Sequence, residues 1–207
     1  MNSIELILAS KSPRRKQLLK QVGLSFSVDS ADIDEAHIDG EKAEDYVLRL
    51  SQEKTRVVAQ RAKGGVVLAA DTIVVFGGAI FGKPESRAHC IEMLRRLSAS
   101  THEVMTGVTV TNNSRRESFL TTTRVIFREI SMSEIMWYWE TGEPEDKAGA
   151  YGLQGRGAAF VSAIHGSFSN VIGLPLAETL LLLREFDVNA MQNREHRINY
   201  APGGERA

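Results

Sequence analysis

Near the start of the chain, Ser10-Lys11-Ser12-Pro13-Arg14-Arg15 sets hydroxyls beside paired guanidinium groups. These donors suit phosphate oxygens. A serine cap followed by proline also opens a helix, whose first N–H groups and dipole attract an anion. Further on, Ala69-Ala70-Asp71-Thr72 puts a carboxylate at the end of an apolar run. There it can hold a divalent metal, or orient and deprotonate water. Lys83-Pro84 offers a point charge on a stiffened stretch of chain. Asp146 to Gly155 is rich in glycine, which permits close backbone approach to a ligand. It carries Gln154, whose amide both donates and accepts and so suits the edge of a base. Taken singly, each segment has a plain structural alternative: a capped helix with solvated arginines, an aspartate turning the chain, an exposed turn lysine, a surface loop.

Other chemistries are set aside. Gly77 to Gly82-Lys83 begins like a phosphate-binding P-loop, but Pro84 stands where serine or threonine must hold magnesium. The five histidines are scattered without a His-x-x-x-His pair, which argues against a histidine-built zinc site. No Gly-x-Ser-x-Gly elbow is present.

Positioning these residues requires alternating elements. Ile4 to Ala9 and Val66 to Ala70 read as buried strands, the second stopping at Asp71. Ala43 to Ala62 reads as a long amphipathic helix with Val47, Leu50 and Val57 on its apolar stripe and Lys54 on the same face. Gly77-Gly78 signals a hairpin, and Ser86 to Leu97 a helix. Two β-rich arms, Glu103 to Val110 and Glu117 to Phe127, flank a polar turn. Ser131 caps a helix through Trp139, a turn and strand are expected between Gly166 and Gly173, and Pro175 to Phe186 reads as helix. Hairpins mixed with alternating helices and strands predict an α/β fold with a mixed central sheet. Residues 1–188 are expected to form one domain, followed by a polar tail from Asn189.

The 207 residues are 43% hydrophobic with a net charge of -1, enough for one core and too balanced for a nucleic-acid or anionic-membrane surface. Cys90 is the only cysteine, so no intrachain disulfide can form. The apolar run Ile4 to Ala9 is too short for a signal core or a membrane span. A cytoplasmic protein is expected.

In this order, the segments from Ile4 to Phe186 resemble the Maf family of nucleoside triphosphate pyrophosphatases, also described as septum formation inhibitors. The resemblance implies a mixed twisted sheet flanked by helices, with two lobes around a cleft, similar to inosine triphosphate pyrophosphatases. It implies a divalent metal of the Mg2+ or Mn2+ type, and a homodimer. It makes Asp71 the base and matches Arg14 and Arg15 to the paired arginines. Glu35 matches the acidic residue after the second strand, Lys54 and Lys83 the lysines of two further motifs, and Gln154 the glutamine of the Gln-Gly motif. Arg14, Thr72 and Gln154 place the chain with the subgroup acting on dTTP and UTP. The subgroup preferring 7-methyl-GTP carries tryptophan after the proline, Ser-Asp-Gln and Ser-Glu-Gly instead. Leu153 departs mildly from the isoleucine of the pattern.

The expected reaction is attack of water on the α-phosphorus with pyrophosphate leaving. Glu35 and Asp71 would hold the metal, and Arg14, Arg15, Lys54 and Lys83 would neutralise the triphosphate. Ser10 would add hydrogen bonds, while Thr72 and Gln154 read the pyrimidine. The competing readings are a non-catalytic nucleotide-binding regulator of cell division and a house-cleaning enzyme for modified pyrimidine nucleotides.

Overall fold

Val66 to Phe76 is apolar at every position except Asp71 and Thr72. In the computed structural model, which describes residues 4–62 and 64–190, it forms one unbroken strand, β3. The expected stop at Asp71 is therefore corrected. The polar pair still occupies pleated positions, with Asp71 opposite Gly107 and Thr72 opposite Thr106. The sheet ladder on that edge carries the strand through.

The other strands are β1 (Leu6–Leu8), β2 (Ser27–Val28), β4 (Ala79–Phe81), β5 (Thr101–Thr111), β6 (Arg116–Phe127) and β7 (Val161–His165). They make one mixed sheet in the order β2-β1-β3-β5-β6-β7, with β4 also on β3. β1 and β4 share one edge of β3. β1 pairs parallel with Val66 to Leu68, and β4 pairs antiparallel with Val74 to Phe76. Between these partners the edge at residues 69–73 opens into a gap, and the chain leaving β1 and β4 lines it.

Alternation along β3 sorts its side chains. Val66, Leu68 and Ala70 join Leu18 and Leu19 of α1 (Pro13–Gln21) and Leu183 of α6 (Leu176–Arg184) in one core cluster. On the same face Val74 belongs to a second cluster, with Leu94 and Leu97 of α3 (Arg87–Leu97) and Ile135 and Tyr138 of α4 (Met132–Glu140). Thr72 falls between the two clusters, which are the cores of two lobes. The opposite face, with Val67, Ala69, Ile73 and Val75, packs under α2 (Ala43–Arg61). Asp71 lies on that face.

α2 descends close to the sheet beside Asp71 because Gly107 has no side chain. A Cβ there would lie 2.5 Å from the Val47 carbonyl oxygen. Val47, Leu50 and Val58 fill the buried stripe; Val57, expected there, is half-buried. Where a strand was expected after Gly166, the chain forms a short helix, α5 (Phe168–Ile172), capped by Ser167, whose hydroxyl accepts from the Asn170 amide. No helix among the described residues is long and apolar enough to cross a membrane. The expected polar tail lies, beyond residue 190, outside the described residues.

Candidate active site

The gap in the β3 edge is the floor of a cleft of about 780 Å3. Ser10, Arg14, Arg15, Glu35, Lys54, Asp71, Thr72, Lys83 and Gln154 all line it. The sequence-predicted residues thus converge from distant parts of the chain on one place.

Lys54 is the link between the acidic groups. It sits on the buried stripe of α2, and its ammonium donates to Asp71 Oδ1 at 2.6 Å and pairs with Glu35 Oε1 at 2.7 Å. The Lys54 and Asp71 side chains are only 11% and 13% exposed, so this pair is well shielded from screening, whereas Glu35 faces solvent. Burial works to raise the Glu35 pKa. The Lys54 hydrogen bond and charge, with Lys83 and Arg15 adding theirs, outweigh it and hold the carboxyl below its ordinary value.

Glu35 lies in the segment 29–42, which has no helix or strand. Side chains of α2 hold it in place. Arg61 grips Asp29 at 2.7 and 2.6 Å, and Arg49 grips Glu41 at 2.6 and 2.8 Å. The Tyr46 hydroxyl donates to the Glu35 carbonyl at 2.7 Å.

On the other face of β3, Arg15 ties three segments together. Its guanidinium donates to the Gly173 carbonyl at 2.8 Å, the Thr72 hydroxyl at 2.9 Å and the Ser10 hydroxyl at 3.3 Å. Burial lowers its pKa, against the opposing pull of the Asp71 charge. The Thr72 hydroxyl, expected at the base edge, is engaged with Arg15 and with Thr106 at 2.9 Å. Arg14 reaches across the cleft mouth to Asp146 at 3.1 Å, and Lys147 holds the other oxygen of Asp146 at 2.6 Å. Lys83, exposed just past β4, completes the ring of cations.

Beyond Arg14 the wall is made by three 3-10 turns, Glu143–Asp146, Ala148–Ala150 and Arg156–Phe160. Between the last two, Leu153 and Gln154 enter the cleft. Gln154 is exposed there and makes no hydrogen bond among the described residues.

Sequence reasoning missed Thr106, Tyr46 and Gly107. Only Gly107 left a signal, a glycine inside a strand pattern, which marks close approach by another backbone.

Among the described residues no three His, Cys, Asp or Glu side chains gather as a metal cage. Glu35 and Asp71 do share one cation, Lys54, and they offer hard oxygens. That donor set fits an ion of the Mg2+ type, which takes one or two carboxylates and completes its shell with waters and phosphate oxygens.

The site can therefore bind a polyphosphate and present a carboxylate to it. Comparison with known proteins places the chain in a family. The family model described as Maf-like protein matches residues 5–186. A protein of Myxococcus xanthus named dTTP/UTP pyrophosphatase is 51% identical over 178 residues, covering 86% of this chain and 90% of its own. One of the same name from Anaeromyxobacter dehalogenans strain 2CP-C is 52% identical over 183 residues, covering 86% and 92%. Among solved structures, the Staphylococcus aureus Ham1 protein superposes with a TM-score of 0.40 at 14% identity, over 59% of this chain and 71% of that one; a likeness so low does not define the fold. The family match spans nearly every element that lines the cleft, and the chain belongs to the Maf family.

Proposed function

We propose that this protein hydrolyses dTTP and UTP to the nucleoside monophosphate and pyrophosphate, the activity named for its close relatives. The observation that carries the mechanism is the Lys54 ammonium held between Glu35 and Asp71 in a cleft also lined by Arg14, Arg15 and Lys83. It combines strong positive charge for a triphosphate with one shielded carboxylate for water.

In this reading Arg14, Lys54 and Lys83 neutralise the phosphates, more strongly as charge shifts toward the leaving group. Arg14 exchanges Asp146 for phosphate on binding. Arg15, with Ser10 and Thr72, fixes the floor and faces one phosphate oxygen. Asp71 orients a water in line with the α-phosphorus and takes its proton. The new P–O bond forms as the bond to the bridging oxygen breaks, and pyrophosphate leaves. Gln154 hydrogen-bonds the pyrimidine edge. A divalent cation on Glu35 and Asp71 would supply Lewis-acid polarisation of the phosphate. A cytoplasmic setting, expected from the sequence, and a homodimer, implied by the family resemblance, belong to the same proposal.

The test is a purified-protein screen of dTTP, UTP, CTP, GTP and ATP with Mg2+ or Mn2+, scoring monophosphate and pyrophosphate. Preferential release of both products from dTTP and UTP is expected. Binding without turnover would favour the regulatory reading, and faster turnover of methylated pyrimidine nucleotides the house-cleaning one.

A further inference from the structure

One half-buried carboxylate near the cleft takes no part in that chemistry. Glu143 does not line the cleft, yet the 3-10 turn that begins with it faces the loop bearing Gln154. Its Oε2 accepts the Arg156 backbone N–H at 2.8 Å, and its Oε1 accepts the Gly157 N–H at 3.1 Å and the Tyr138 hydroxyl at 2.8 Å. Tyr138 is fully buried, and its oxygen in turn accepts the Gly152 N–H at 3.1 Å. The loop from Gly152 to Gly157 is therefore held at both ends by one continuous hydrogen-bonded pair.

The glycines of that loop fit the same device. A Cβ on Gly155 would lie 2.4 Å from Glu143 Oε2, and one on Gly157 would lie 2.6 Å from the Tyr138 oxygen. Lys147 closes the far side, donating to the Glu143 carbonyl at 2.6 Å. Burial works to raise the Glu143 pKa, but the Arg156 N–H, the Tyr138 hydroxyl and the Gly157 N–H hold it below the ordinary value. The group stays an anion, and each bond to it is charge-assisted.

We propose that Glu143, acting through Tyr138, is a positioning residue for nucleobase selection: it fixes the Gly152–Gly157 loop so that Gln154 meets the base at one height and angle. The proposal rests on the reading above that Gln154 recognises the base. Among the described residues the Glu143 carboxylate bonds only Tyr138 and the Arg156 and Gly157 backbone, so its loss should change selection rather than chemistry.

The experiment compares kcat and KM for dTTP, UTP, CTP, GTP and ATP in wild type, Glu143→Gln, Tyr138→Phe, Gly155→Ala and Gln154→Ala. Glu143→Gln keeps the shape but turns an NH2 toward a backbone N–H. It should raise KM for dTTP and UTP about 10-fold, the equivalent of one lost hydrogen bond, with kcat within about twofold, eroding the preference over purine nucleotides. Tyr138→Phe should move the ranking the same way by less. Gly155→Ala, which pushes the carboxylate aside, should match Glu143→Gln, and the double variant should be no worse than either. A folded Glu143→Gln with wild-type KM and ranking overturns the proposal, as does an equal loss of kcat on every nucleotide. If Glu143→Gln does not fold, a wild-type ranking in Tyr138→Phe and Gly155→Ala overturns it instead. If Gln154→Ala shifts the ranking and Glu143→Gln does not, this inference alone falls. If Gln154→Ala leaves the ranking unchanged, the base-reading assignment falls and the inference with it.

Discussion

The two halves of the cleft are built by different means. The phosphate-facing half stands on regular elements: Asp71 and Thr72 on the central strand β3, Lys54 on α2, Arg14 and Arg15 on the first turn of α1. The opposite wall is a run of 3-10 turns; its middle turn rests on Val74 of β3, and the loop bearing Gln154 is held by Glu143 and Tyr138. Rigid elements suit a task with narrow geometric tolerance, holding charge against a reacting phosphoryl group. A loop hung from one carboxylate suits recognition, because its tip can be altered without disturbing the reacting atoms.

If that division holds, substitutions in the first half should act on rate and those in the second on selectivity. Asp71→Asn keeps the shape and removes the base, and is expected to lower kcat by about 10²–10⁴-fold with the fold intact by circular dichroism. A turnover close to wild type would end its assigned role. Lys54→Met should cost about 10²-fold in kcat/KM, since one preorganised cation is lost. It also carries a pH signature. Glu35 now has a lowered pKa, so its share of the ion-pair stabilisation is full above the ordinary carboxylate range and fades as pH falls through the lowered value. Without Lys54 its hydrogen bond and charge no longer lower the Glu35 pKa, which rises from its wild-type position. The acid limb of the pH–kcat/KM profile should move to higher pH, and an unmoved limb would separate Glu35 from catalysis.

In the second half, Gln154→Glu should alter the dTTP-to-CTP preference by about 10-fold, the scale of one hydrogen bond, and move kcat less. A change in kcat alone would erase the distinction between the halves. Gly107→Ala sharpens the comparison from the scaffold side. The added methyl meets the backbone of α2, so unfolding should become easier by roughly 1–3 kcal/mol, read by urea titration, with Lys54 displaced and the base ranking unchanged.

How much of this was legible in the sequence follows the same line. The capped start of α1, the stripe of α2 with Lys54 on it, the hairpin at Gly77-Gly78 and the helix cap at Ser131 all announce themselves locally, and the structure has them. Asp71-Thr72 looked like the end of a strand because two polar residues interrupt an apolar run. Nothing local says that β5 will pair with both and carry the strand on. A strand was expected between Gly166 and Gly173, but Ser167, accepting from the Asn170 backbone N–H, opens a short helix there instead. The work assigned to Glu143 was invisible, since it depends on a loop folding back from more than ten residues away. Gly107 was visible only as an oddity in a strand until α2 was seen resting on it.

In the proposed reaction, water attacks the α-phosphorus under the direction of Asp71. Hydrolysis of dTTP in 18O-labelled water, followed by mass analysis of both products, tests it most directly. Label is expected in the monophosphate alone, formed by wild type and suppressed in Asp71→Asn. Label in the pyrophosphate would place the attack on the β-phosphorus and contradict it.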